Sequence, residues 1–88
     1  MTAQLALFPT AALELQQIDT ARRRRRRYHL APCLSLFGDP GLLITWGGMG
    51  KRPRLRLETF SSADDQHTRW QTLLARRVAH GYRIQSQS

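Results

Sequence analysis

Arg22, Arg23, Arg24, Arg25, Arg26 and Arg27 follow one another without interruption, and a run of guanidinium groups that dense points to one chemistry, the binding of phosphate. Each group is planar and permanently charged, and its donor fork matches phosphate oxygens in pairs. The chain has 14 Lys+Arg against 6 Asp+Glu, a formal net charge of +8 at pH 7, and this single run carries most of the excess. Charge so concentrated is a local footprint for a polyanion rather than a general coat. The competing reading is a solvated loop or edge strand whose charge discourages aggregation. Six contiguous arginines with almost no acid nearby favour the polyanion.

A second candidate follows an apolar run. Trp46 is succeeded by Gly47-Gly48-Met49-Gly50 and then by Lys51, Arg52, Arg54 and Arg56. Three glycines in four positions imply positive φ or the close approach of another group. An indole beside bare backbone is a platform on which a base or sugar could stack. An aromatic at the end of an apolar strand can equally pack against a helix. The residues alone leave both readings open.

Catalytic readings are weaker. His29, His67 and His80 are scattered and have no metal spacing with a cysteine or carboxylate. Cys33 has no nucleophile signature and reads as a small buried hydrophobe. Asp64 and Asp65 suit the start of a helix better than acid–base work. The glycines lack the G-x-x-x-x-G-K-[ST] order of a phosphate loop. No catalytic residue, no metal and no cofactor is expected. A single cysteine allows no disulfide within the chain, which suggests a reducing compartment. Met1–Thr10 lacks the basic start of a signal peptide. Nothing approaches the ~20 apolar residues that would span a bilayer. The expectation is a soluble, cytoplasmic protein with no membrane partner, with nucleoid association and oligomeric state left open.

The elements that must position these residues follow from periodicity. At 88 residues the chain is one domain's worth, divided here into a leader at 1–11, a domain at 12–84 and a frayed tail at 85–88. Leu13 and Leu15 alternate with Glu14 and Gln16 as in a half-buried strand. A regular strand through all six arginines would send three into the core. The early ones are therefore placed in a hairpin connection, with strand from about Arg25 through Leu30. Pro32 puts that strand at an edge or a bulge. Leu42–Trp46 is a third strand and Arg54–Phe60 a fourth, with Leu55 and Leu57 on one face and Arg54, Arg56 and Glu58 on the other. Ser62 caps a helix whose apolar face holds Ala63, Trp70, Leu73, Leu74 and Val78. Gly81 ends it. Tyr82–Ile84 either forms a short strand or simply packs. Strands followed by a helix give an α+β fold: a small antiparallel sheet of about four strands on one helix.

Read in order, Leu15-Gln16-Gln17-Ile18-Asp19, Arg26-Arg27-Tyr28, Leu36-Phe37-Gly38, Trp46-Gly47-Gly48-Met49-Gly50, Phe60 and His80-Gly81-Tyr82-Arg83 resemble a bacterial WGR domain. The resemblance runs from about Leu13 to Arg83 and implies a small antiparallel sheet with one helix. Such domains also occur in DNA-break-sensing poly(ADP-ribose) polymerases, where the motif tryptophan stacks on a sugar at a DNA end and the motif arginine contacts nucleic acid. Carried over, Trp46 is the stacking residue, and Gly47 and Gly50 shape the turn. The motif arginine is Gly48 here, so Lys51, Arg52, Arg54 or the Arg22–Arg27 run would have to supply its charge. The expected function is a non-catalytic nucleic-acid-binding module, with DNA favoured over RNA. The alternative is an adaptor that docks on an acidic surface of a protein partner.

Overall fold

The computed structural model describes residues 12–48 and 50–87; the leader expected at 1–11, Met49 and Ser88 lie outside the described residues. Alternation of leucine with polar residues makes β1 (Leu13–Asp19), whose odd positions face the core. The chain reverses at Thr20–Arg23, where the Asp19 carboxylate accepts the Arg22 amide at 3.2 Å, and returns as β2 (Arg24–Leu34). A turn built on Ser35 leads into β3 (Pro40–Gly48), and the glycine-rich turn leads into β4 (Arg54–Thr59). The helix α1 (Ala63–Ala79) and a last strand, β5 (Arg83–Gln87), complete an antiparallel sheet of order β4-β3-β2-β1-β5.

Five strands therefore stand where about four were expected. The cause lies at the end of α1. His80 caps it, Gly81 adopts φ 90°, and the amides of Gly81 and Tyr82 donate to the carbonyls of Val78 and Arg77. This reversal satisfies the last carbonyls and sends the chain back to the sheet. There β5 pairs with the free edge of β1 and runs on through Gln87, into the residues read above as a frayed tail.

Two further expectations change. Strand β2 is interior, not an edge, but Pro32 lies past Leu30, the partner of the first β1 residue, so its missing N–H falls where that side of β2 has no described neighbour. The arginine run also enters regular strand, with Arg24–Arg27 in β2, yet none points into a core. Beyond Tyr28 the sheet has outrun its helix, and both of its faces meet water.

Leu13, Leu15, Tyr28, Leu30, Leu42, Ile44, Leu73 and Tyr82 form the core, with Trp46, Phe60, Trp70 and Leu74 packed partly against it. Full burial of side chains this size contributes roughly 1.5–3 kcal/mol each. On α1 the buried positions are Gln66 and Leu73, whereas Ala63 and Val78, expected on the apolar face, are exposed. Gln66 is buried because its amide donates to the Gly41 carbonyl at 2.7 Å, tying the first turns of α1 to the start of β3. A Cβ at Gly41 would lie 3.0 Å from the Glu58 carbonyl and 3.2 Å from the Cys33 sulfur, so a side chain there would press on the neighbouring strands.

Strand β4 inverts the simple pattern of leucine in and arginine out. Arg54, Arg56 and Glu58 are register partners of Trp46, Ile44 and Leu42 and so share the helix's side of the sheet. Leu55 and Leu57 lie on the other side, 66% and 53% exposed. The inward position is used by charge. Arg69 of α1 grips Glu58 through two hydrogen bonds at 2.9 and 3.2 Å, and Arg56 adds an ion pair at 3.0 Å. The hydrogen bonds from Arg69, then its charge and that of Arg56, hold the Glu58 carboxyl below its ordinary 4.5 against the opposing effect of burial.

Because the folded value is depressed, the contribution of Glu58 to stability is full above its ordinary value and is lost as the pH falls through the folded one. Glu58→Gln is expected to cost about 1 kcal/mol at pH 7. Urea denaturation should show the two proteins converging in stability as the pH drops below ~4.

Candidate nucleic-acid interface

Where the sheet outruns α1, its cations collect. Strand alternation places Arg24 and Arg26 on the helix's side of β2 and Arg25 and Arg27 on the other, and all four are exposed. Register then sets Arg26 against Gly48 and Arg27 against Gly47, which brings the arginine run beside the glycine turn. Gly47 and Gly50 hold φ of 156° and 80°, which L side chains rarely adopt, and the Lys51 amide closes the turn on the Gly48 carbonyl at 3.1 Å.

Two adjoining grooves share Trp46, Gly47, Gly48 and Lys51. One is completed by Arg27, Thr45, Gly50 and Pro53, the other by Arg26, Arg52, Arg54, Arg77 and Tyr82. A third, lined by Arg23–Arg26 with Gly48 and Lys51, joins them to the hairpin tip. No carboxylate lines any of the three among the described residues. Trp46 is half-buried rather than free: it sits on the helix's side of the sheet, packs partly against the core, and lines both grooves. The Arg56 guanidinium lies 5.9 Å from the centroid of its ring.

The structure thus brings together Trp46, Gly47, Lys51, Arg52, Arg54, Arg26 and Arg27, with Arg23, Arg24 and Arg25 continuing outward along the hairpin. It does not bring in Arg56 as a free cation, because Glu58 is already paired with it. Arg22 lies at the turn, 3.9 Å from the Asp19 carboxylate, and Arg27 has Glu14 at 3.0 Å. Arg23, Arg24, Arg25 and Arg26 have no carboxylate partner among the described residues.

Sequence reasoning missed Arg77, which it explained by the helix end alone. The Arg77 guanidinium lies 4.3 Å from the Tyr28 ring centroid and 5.7 Å from that of Tyr82, while the two tyrosines meet edge to face at 6.2 Å. Stacking of this kind is worth about 0.5–2 kcal/mol and fixes the cation at the base of the groove. The available signal was spacing: Gln66, Trp70, Leu73 and Arg77 repeat as 4-3-4, one stripe of a helix.

The WGR domain family model matches residues 11–88. The chain belongs to the WGR family. No curated protein and no solved structure matches it. WGR domains are a non-catalytic module family, associated with nucleic-acid binding in proteins like the poly(ADP-ribose) polymerases. In this WGR domain Gly48 lies outside the left-handed region, and a Cβ there would make only ordinary contacts, 3.5 Å from Lys51 and 3.9 Å from the Arg25 carbonyl. Space, then, is not what keeps a side chain from that position. No described helix is long and apolar enough to cross a membrane.

Arg23 itself holds a φ of 53°, a left-handed conformation that is costly for a residue bearing Cβ. Glycine adopts it freely, though with more unfolded-state entropy to lose. Arg23→Gly is therefore expected to raise stability by about 0.5–1 kcal/mol, seen as a thermal midpoint a few degrees higher.

Proposed function

We propose that this WGR domain binds nucleic acid, DNA in preference to RNA, in the grooves around Trp46. The observation that carries the reading is the convergence of one half-buried indole with Arg26, Lys51, Arg52, Arg54 and Arg77 in a concave surface without a lining carboxylate. Unpaired cations held side by side repel one another, and a chain of phosphates relieves that repulsion while releasing its own counterions. The cations supply affinity and set the strand's path; the wall formed by Trp46 supplies a surface for a base or sugar. Arg77, held by two tyrosine rings, is the most rigid of the donors and fixes one phosphate position. The sheet and α1 hold this arrangement and carry no chemistry of their own.

Docking on an acidic protein surface would use the same cations but gives the indole wall no role.

Affinity for a fluorescent duplex, measured across a range of salt, separates the two parts of the site. Each phosphate neutralised contributes about 0.9 to the slope of log K against log salt on duplex DNA. Replacing Arg26, Arg52 and Arg54 together by serine is expected to flatten the slope by roughly 2–3. Trp46→Leu, which keeps apolar packing, is expected to weaken binding roughly five- to a hundredfold with the slope unchanged. An unchanged slope in the serine variant would contradict the proposal.

A further inference from the structure

We infer that the tip of the β1–β2 hairpin is a separate arm whose arginines enter the minor groove of duplex DNA, with preference for narrow, A·T-rich sequence. The inference rests on the nucleic-acid reading above but on different residues. Pairing of β1 with β5 ends at Gln16↔Arg83, and pairing of β2 with β3 ends at Arg26↔Gly48. The pairs Ile18↔Arg25 and Asp19↔Arg24 continue beyond both. Ile18–Arg25 therefore extends past the neighbouring ladders as a ribbon two strands wide, closed by the turn at Thr20–Arg23, with Gly48 and Lys51 beside its base.

A two-stranded ribbon is too broad for a minor groove about 6 Å wide, so what enters is the arginine side chains at its tip while the backbone rides over the groove. A major groove about 12 Å wide would admit the ribbon broadside, but reading base edges there calls for mixed donors and acceptors. The charge of the arm is mostly guanidinium: its one carboxylate, Asp19, lies 3.9 Å from Arg22, and Arg23, Arg24 and Arg25 are exposed, without carboxylate partners among the described residues. Cations of this kind seek the deepest negative potential, which in B-form DNA lies in narrow A·T minor grooves. Arginine is favoured over lysine there because its charge is more weakly hydrated and is less costly to strip of water.

Two further features agree. Ile18, 53% exposed opposite Arg25, gives the ribbon one apolar side chain to lie against sugars of the groove wall. Arg23 occupies the left-handed corner of the turn where glycine would be the more stable choice. That corner carries its exposed side chain to the tip of the ribbon, where a contact in the groove would offset the cost. The groove lined by Arg23–Arg26, Gly48 and Lys51 connects the arm with Trp46, so both contacts can be made on one duplex.

The test uses the whole chain and three labelled ligands at one salt concentration: an alternating A·T duplex, an alternating G·C duplex and an RNA duplex. The A·T duplex is expected to bind roughly fivefold or more tightly than the G·C duplex, and netropsin, which fills A·T minor grooves, is expected to displace the protein. Replacing Arg23, Arg24 and Arg25 by lysine keeps the charge and is expected to bring A·T affinity down to the G·C level. Arg23→Gly gives a second arm variant whose fold is more secure than the parent's, and it should lose part of the preference. Equal affinity for the two DNA duplexes with no effect of netropsin overturns the arm while leaving the Trp46 grooves standing. Tighter binding to the RNA duplex also overturns it. Failure to bind any of the three overturns the arm and the nucleic-acid reading together.

Discussion

One helix can shield only part of one face of a five-stranded sheet, and the rest of this protein follows from that limit. The core is built where α1 lies: Leu15, Tyr28, Leu30, Ile44 and Leu73 are at most 2% exposed. Strand β2 has eleven residues, and its first four extend beyond the shelter. A strand end that must be wet on both faces can carry charge on both, which is how four arginines occupy regular strand without one of them being buried. The uncovered end is thus permitted by the geometry of cover before any ligand is considered.

Electrostatics then divides the arginines into two groups. Arg56 and Arg69 are neutralised by Glu58 and hold β4 to α1; they belong to the fold. Arg23–Arg26, Lys51, Arg52 and Arg54 have no such partner among the described residues and face a common set of grooves. Arg77 stands between the groups, since its packing on Tyr28 and Tyr82 serves the core while its position serves the groove. A surface that concentrates uncompensated charge around a half-buried indole is costly to the isolated protein. Salt screens that cost in part, and a polyanionic partner would relieve it further.

Most of the architecture was legible in the sequence because its signals are local. Ser62, with Asp64 and Asp65, marks the start of α1, and His80-Gly81 marks its end. Alternation in Leu13–Gln16 and in Arg54–Phe60 identifies strands. What escaped is what depends on distant partners. The strand at Arg83–Gln87 has little pattern of its own and forms because β1 offers an edge. The side of β4 that faces the helix could not be read from alternation, because it is the face bearing Arg54, Arg56 and Glu58 that meets α1, through Arg69, eleven residues on from Glu58, while Leu55 and Leu57 lie on the far side. At the candidate site the residue types were readable, but their convergence depends on the β2–β3 register. The status of Trp46, left open between platform and core, proves to be partly each. Arg77 was hidden by a sufficient local explanation, a basic residue at a helix C-terminus.

The central claim is that the uncovered end of the sheet is the nucleic-acid surface. Amide and indole N–H chemical shifts, followed by NMR as a short DNA duplex is added, test it most directly. The account predicts shifts concentrated at Arg24–Arg27, Trp46–Gly48, Lys51–Arg54 and the Trp46 indole, with Leu43 and Leu57, farther along the sheet from the hairpin, unmoved. Perturbations centred on those leucines, or none at DNA concentrations well above the protein's, would contradict it.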